Sequence, residues 1–200
     1  MELVFASNNP HKVKEIKSLL GKSFKLLSLS DINIFDDIPE NEPMLEGNAL
    51  AKARFVHTAS GKNVFADDTG LEIEALDGLP GVHSARFAGD NKDSSANIKK
   101  VLGLLGQNEN RNARFRTVIA LIINNKEFLF EGTVEGKIIQ ELRGTEGFGY
   151  DPVFIPNGKT RTFAEMELKE KNTVSHRARA FEKLKDFLEH YRESDNKMTI

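Results

Sequence analysis

The sequence predicts an α/β protein, and three observations carry that expectation. Leu3 to Ala6 form a short apolar run, and after a polar turn Val13, Ile16, Leu19 and Leu20 return at helical spacing. Two more helical stripes, over 43–60 and 94–105, alternate with runs of strand character. Two long extended runs, 113–123 and 127–135, meet at Asn124-Asn125, and Asn tolerates the left-handed backbone of a tight hairpin.

The first strand feeds the turn Ser7-Asn8-Asn9-Pro10-His11-Lys12. Asn8 or Asn9 can cap the helix that follows, Pro10 suits its first turn, and Gly21 stops it. Backbone N–H groups at such a helix start suit an anion, to which Lys12 adds a point charge. A plain β-to-α turn has the same residues, and no P-loop or dinucleotide fingerprint is present. A second strand follows at 24–29. The stretch 30–42 is acidic and irregular, with Asp31, Asp36, Asp37, Glu40 and Glu42. Pro43 opens a helix to about residue 60, with Leu45, Ala49, Ala53 and Val56 as its apolar stripe. Asn48 and Lys52 sit four apart and share another face of it.

Residues 63–66 form an apolar strand that ends in Asp67-Asp68-Thr69-Gly70. Adjacent carboxylates repel and are costly to bury unpaired. A strand end bringing hard oxygen ligands to a loop suits a divalent cation, and a polar turn with Gly70 at positive φ fits the same residues. An alternating strand is expected at 71–76, then a turn at 77–81. Arg86, beside Phe87, can bind phosphate or pair with a local carboxylate. Beyond the hairpin, Arg143-Gly144-Thr145-Glu146-Gly147-Phe148-Gly149-Tyr150-Asp151-Pro152 brackets two aromatics with three glycines. Glycine lets backbone approach a ligand, and an aromatic face stacks on a planar ring. A short strand at 153–156 and a charged helical stretch at 163–170 precede the last helix. Thr173 or Ser175 caps it, and Ala178, Phe181, Leu184, Leu188 and Tyr191 line its buried side. His176 and Arg177 fall in its first turn, where cations oppose the helix dipole, which points to an anionic or ring-nitrogen partner.

The totals narrow the function classes. The chain has 200 residues, enough for one substantial core or two lobes sharing a sheet. A net charge of −2 gives no bulk attraction to a nucleic acid polymer or an anionic membrane, so nucleotide recognition has to be local. The absence of cysteine removes disulfides, thiolate metal sites and thiol nucleophiles. Residues 1–6 lack the length and basic start of a signal peptide, and no apolar run reaches membrane-span length, so a cytoplasmic location is expected.

Four motifs in order, Ser-Asn-Asn-x-x-Lys at 7–12, Asp-Asp-Thr-Gly-Leu at 67–71, Phe-Gly-Tyr-Asp-Pro at 148–152 and Ser-His-Arg at 175–177, resemble those of one family. It is the inosine triphosphatase or Ham1-like family, which hydrolyses non-standard purine nucleoside triphosphates, and the likeness covers about residues 1–190. It implies a long, strongly twisted mixed sheet with helices on both sides, forming two lobes with a cleft between them. One domain over 1–192 and a flexible tail at 193–200 follow. It also implies Mg²⁺-dependent hydrolysis of ITP, dITP and XTP to the monophosphate and pyrophosphate, which cleanses the nucleotide pool ahead of DNA and RNA synthesis. A homodimer is implied too.

By the same resemblance Glu40 and Asp68 are the metal carboxylates, and Asp68 matches the general base, with the water activated by Asp68 or by the metal itself. Lys52 faces the phosphates. Ser7, Asn8, Asn9, Pro10, His11 and Lys12 form the triphosphate turn, with Thr69 beside the metal. Phe148, Gly149, Tyr150, Asp151, Lys171, His176 and Arg177 form the base pocket, where Arg177, protonated His176 or backbone N–H groups are expected to donate to the purine 6-oxygen. The alternatives are a related pyrophosphatase for pyrimidine or other modified nucleotides, an idle nucleotide-binding regulator, and a haloacid-type phosphatase. The regulator predicts defective metal carboxylates, and the phosphatase needs Asp-x-Asp where this chain has adjacent aspartates.

Overall fold

A computed structural model of the chain describes residues 1–20, 24–36 and 38–197; Gly21 and Asp37 lie outside the described residues. Strand β1 (Glu2–Phe5) is followed by helix α1 (Pro10–Leu20) and strand β2 (Lys25–Leu27). Helix α2 (Leu45–Ser60) leads into β3 (Val64–Ile73), whose far end pairs with the two-residue β4 (Pro80–Gly81). Helix α3 (Ser94–Leu105) precedes the hairpin of β5 (Asn112–Ile123) and β6 (Lys126–Ile138). Its tip is Asn124 and Asn125 at φ 49° and 59°, the left-handed pair anticipated there. Strand β7 (Phe154–Pro156), the short helix α4 (Leu168–Lys171) and helix α5 (His176–Lys197) complete the described elements. The backbone of α5 thus continues past Glu193, where the sequence places the start of a tail, and residues 198–200 lie outside the described residues.

The sheet is mixed, in the order β2-β1-β3-β5-β6-β7. The β1 strand runs parallel to both its neighbours, and the pairs from β3 onward are antiparallel. Strand alternation sorts the side chains of β3 and β5 between two layers. Phe65, Ile119 and Leu121 pack with Leu3, Ile16, Phe181 and Leu184 beneath α1 and α5. Val64, Ala66, Val118 and Ala120 pack with Ala49, Ala53 and Val56 beneath α2. Further along the same strands, Leu71, Ile73, Ala113 and Phe115 join Ile98 and Val101 of α3 and Phe154 of β7 in a third core. The two lobes therefore share β3 and β5, and residues 67–70 lie where one lobe passes into the other.

This corrects the sequence expectation for 67–70. The stretch is no loop at a strand end but the middle of a ten-residue strand, paired residue by residue with 116–119 of β5. Gly70 is needed for contact rather than for positive φ: a Cβ there would stand 2.6 Å from the carbonyl oxygen of Gly81. The strand ends at Ile73, and residues 74–76, expected to be extended, form a 3-10 turn. The helical stretch expected over 163–170 is two pieces, a 3-10 turn at Phe163–Glu165 and α4. The first is held by a capping box between Thr162 and Glu165.

Candidate active site

Because successive strand residues face opposite ways, Asp67 points into the layer of α1 and α5, and Asp68 into that of α2. The two adjacent carboxylates do not share one cation, and each has its own cationic partners. Asp67 is buried, accepts from Lys12 Nζ at 3.1 Å and from Arg177 Nε at 3.0 Å, and lies beneath the cleft surface. Burial alone would raise its carboxyl, but Lys12 and Arg177 outweigh it and hold the group well below the usual carboxylate range. The chain of charges continues inward. Arg177 Nη1 donates to Glu15, and Lys171 Nζ donates to Glu15 at 2.7 Å and to Asp151 at 2.6 Å. Lys12, Asp67, Arg177, Glu15, Lys171 and Asp151 thus form a row of alternating sign, the arrangement that makes burial of ions tolerable. Burial keeps the Asp151 carboxyl above its ordinary value, although Lys171 faces it.

On the other face, Lys52 Nζ donates to Asp68 at 3.0 Å and to Glu40 at 2.7 Å. Burial works against its charge, yet the two carboxylates prevail and raise its pKa. Asn48 donates to the second oxygen of Asp68 at 3.2 Å and accepts from the Glu42 N–H at 2.9 Å, which ties the acidic loop to α2. Asn48 and Lys52 do share a face of α2, and it is an inward face: the two residues are 2% and 5% exposed. Arg86 completes this group, reaching the other Glu40 oxygen at 2.9 Å.

The turn after β1 is held by its own side chains. Asn9 caps α1, accepting from the N–H groups of His11 at 2.9 Å and Lys12 at 3.3 Å, and Ser7 Oγ accepts from Asn9 at 3.3 Å. Across the cleft, the Phe148 ring is stacked with His11, centroids 5.1 Å apart, with Lys171 Nζ 5.2 Å and Arg177 Cζ 5.5 Å from the ring centre. Asp151 fixes this loop by accepting the Phe148 N–H at 2.8 Å, and Gly147 leaves room for that carboxylate. Tyr150, its phenol raised by burial, donates to the Ser84 carbonyl at 2.9 Å.

The helix-dipole argument at the start of α5 holds for Arg177, whose partners are Asp67, Glu15 and the hydroxyl of Thr69 at 3.2 Å. The expectation of a protonated His176 does not. The ring is buried and stacked on Phe115 at 4.6 Å, and burial together with Arg177 and Lys171 drives its pKa well below the ordinary value, so the imidazole is neutral. Its buried Nδ1 has no hydrogen-bond partner among the described residues.

Asp67 lies beneath the surface of a cleft of about 580 Å³ between the lobes, and the residues that the resemblance assigns to the site all border it. Glu15 is the member of the charge network that sequence reasoning missed. Its signal is position: it lies three residues after Lys12 and next to Ile16, on the inward side of α1, where an acidic residue requires a buried cation.

Residues 3–187 match the Ham1 family. The chain is 53% identical over 188 residues to a dITP/XTP pyrophosphatase of Christiangramia forsetii, covering 94% of this chain and 99% of that protein. To the dITP/XTP pyrophosphatase of Bacillus subtilis it is 47% identical over 192 residues, covering 94% and 97%. The solved Ham1 protein of Staphylococcus aureus superimposes with a TM-score of 0.86 at 38% identity, over 96% of this chain and 100% of that one. A HAM1 protein from Coxiella burnetii gives 0.87 at 39% identity, over 95% and 99%. With the profile, the near full-length identities and the shared architecture in agreement, the chain belongs to the Ham1 family.

Proposed function

We propose that the protein hydrolyses the non-standard purine nucleoside triphosphates ITP, dITP and XTP to the monophosphate and pyrophosphate. The observation that carries this reading is the division of labour across β3. Asp68, Lys52 and Glu40 gather on one face, and a cage of Phe148, Lys171 and Arg177 is anchored through Asp67 on the other. The activity printed for the relatives, dITP/XTP pyrophosphatase, agrees with it.

Charge balance explains what the cleft asks for. Lys12, Lys52 and Arg86 are cancelled by Asp67, Asp68 and Glu40. A triphosphate brings about four negative charges, and its cleavage needs neutralisation and positioning rather than a covalent intermediate. A divalent cation fits here. Glu40 and Asp68 already converge on one cationic atom, Lys52 Nζ. Two carboxylates suit Mg²⁺, an ion that takes one or two of them and fills its shell with phosphate oxygens and water. Held by Glu40 and Asp68, it supplies neutralisation of phosphate oxygens and polarisation of water.

The chain's own groups do the rest. Asp68 accepts the proton of the water that attacks the α-phosphorus, and the bond from that phosphorus to the bridging oxygen breaks as pyrophosphate leaves. Lys12 and Lys52 steady the non-bridging oxygens, and Ser7, Asn8 and Asn9 line the turn around them. Hypoxanthine and xanthine carry a 6-oxygen acceptor where adenine carries an amino donor. Arg177 has guanidinium N–H groups beyond the three bonds described, and Lys171 has an ammonium N–H beyond its two. Donors fixed in a buried row satisfy an acceptor and mismatch a donor, which discriminates by up to about 10⁴-fold. The same reading includes pairing of two copies and a cytoplasmic setting.

The test is product release from ITP, XTP, ATP and GTP with Mg²⁺, for the wild type and Asp68→Asn. Pyrophosphate from the first two only, with turnover lowered about 10³-fold or more in the variant, is the expected result. Orthophosphate release, or equal rates on all four, would contradict it.

A further inference from the structure

The 3-10 turn Ser84–Arg86 belongs to the second lobe and is tied down from three sides. Ser84 Oγ donates to the Gly81 carbonyl at 2.6 Å and accepts the Leu71 N–H of β3 at 2.8 Å. Tyr150, from the loop that carries Phe148, donates to the Ser84 carbonyl. Asn97 of α3 accepts from Ala88 N–H at 2.6 Å and donates to the Ala85 carbonyl at 2.9 Å. From this fixed base Arg86 reaches into the cleft and meets the first lobe at Glu40.

The contact it makes there differs from those of Lys171 and Arg177. Lys171 and Arg177 are nearly inaccessible and each holds two carboxylates, whereas Arg86 makes one bond through Nη2 and its side chain is 35% exposed. A half-exposed, single-point ion pair contributes little and exchanges readily. Among the described residues the other guanidinium donors of Arg86 make no hydrogen bond. They border the same cleft as Glu40, Lys52 and Asp68, and a guanidinium fork matches the paired oxygens of a phosphate.

We propose that Arg86 is a substrate-binding residue for the pyrophosphate end of the triphosphate, a reading that rests on the function proposed above. When the triphosphate enters, Arg86 exchanges Glu40 for oxygens of the two outer phosphates and leaves Glu40 to the divalent cation. As the bond to the α-phosphorus breaks, negative charge grows on the departing pyrophosphate, and Arg86 is placed to balance it. The Arg86–Glu40 pair is then a clasp between the lobes that substrate opens and product release restores.

The experiment compares wild type, Arg86→Ala and Arg86→Lys for inhibition of ITP hydrolysis by each product, with direct pyrophosphate binding by calorimetry and thermal melts as a check on folding. The inhibition constant and dissociation constant for pyrophosphate should rise about tenfold or more in Arg86→Ala, with only part of the loss restored by lysine. The constant for inosine monophosphate should stay within about twofold, since Arg86 does not face the base cage. Unchanged pyrophosphate binding in Arg86→Ala, or an equal loss for both products, would overturn the inference while the activity itself stands. Orthophosphate release by the wild type would overturn the activity and the inference together.

Discussion

Asp67 and Asp68 are consecutive residues in unlike surroundings, one sealed against Lys12 and Arg177, the other open to the cleft beside Lys52. Neighbouring His176 gives a clean way to probe the sealed side. Its imidazole titrates near pH 6.5 in the unfolded chain and well below that in the fold. Above pH 6.5 both states are neutral and it contributes no pH dependence. Below that value the unfolded chain takes up a proton that the fold refuses, so stability falls with pH at up to about 1.4 kcal/mol per unit. Asp67 and Glu15, with lowered values, lose their contribution further down, from the ordinary carboxylate range to below it. Urea unfolding of wild type and His176→Asn between pH 7 and pH 5 should therefore show a steeper loss for the wild type; parallel lines would mean that the folded ring takes up its proton as readily as the unfolded chain does. Glu15 apart, these residues were singled out in sequence and their partners were not. Lys12 lies 55 residues from Asp67 and Arg177 lies 110 away, so no local pattern reports that the acidic pair is compensated.

At the scale of elements, the same distance explains which expectations held. The helices and the hairpin follow from short-range periodicity and from two asparagines, and they stand close to where the sequence puts them. The continuity of β3 was hidden because locally a charged pair ends a strand, and only long-range cations let it run on. A second hidden feature is Gly132. A Cβ there would collide with the backbone of His176 and Ala180, so this glycine sets how closely α5 lies on β6. The first turn of α5 carries His176 and Arg177, and a displaced helix would move the base cage with it. Gly132→Ala should lower stability by about 1–3 kcal/mol in urea unfolding and raise KM for ITP, with Asp68 left in place. An unchanged KM would show that the helix tilts without disturbing its first turn.

For the whole molecule, the cleft exists because two strands serve both lobes. Three apolar cores meet along β3 and β5, which pair over ten residues, whereas β2 and β7 are three-residue strands at the ends of the sheet. Amide hydrogen exchange should find β3 and β5 opening only with global unfolding, and β2 and β7 opening earlier. Protection of the outer strands equal to that of the central pair would mean that the lobes do not open separately from the spine. The spine has one more consequence. Asp67 and Thr69 lead to Arg177 of the cage, Asp67 also to Lys12, and Asp68 on the opposite face leads to Lys52. Which base is admitted and how fast the bond is cut are thus set at alternating letters of a single word. Asp67 also seats Lys12, so an engineer exchanging the accepted nucleobase works through Lys171, Arg177 and the Phe148 loop and keeps positions 67 and 68 as they are.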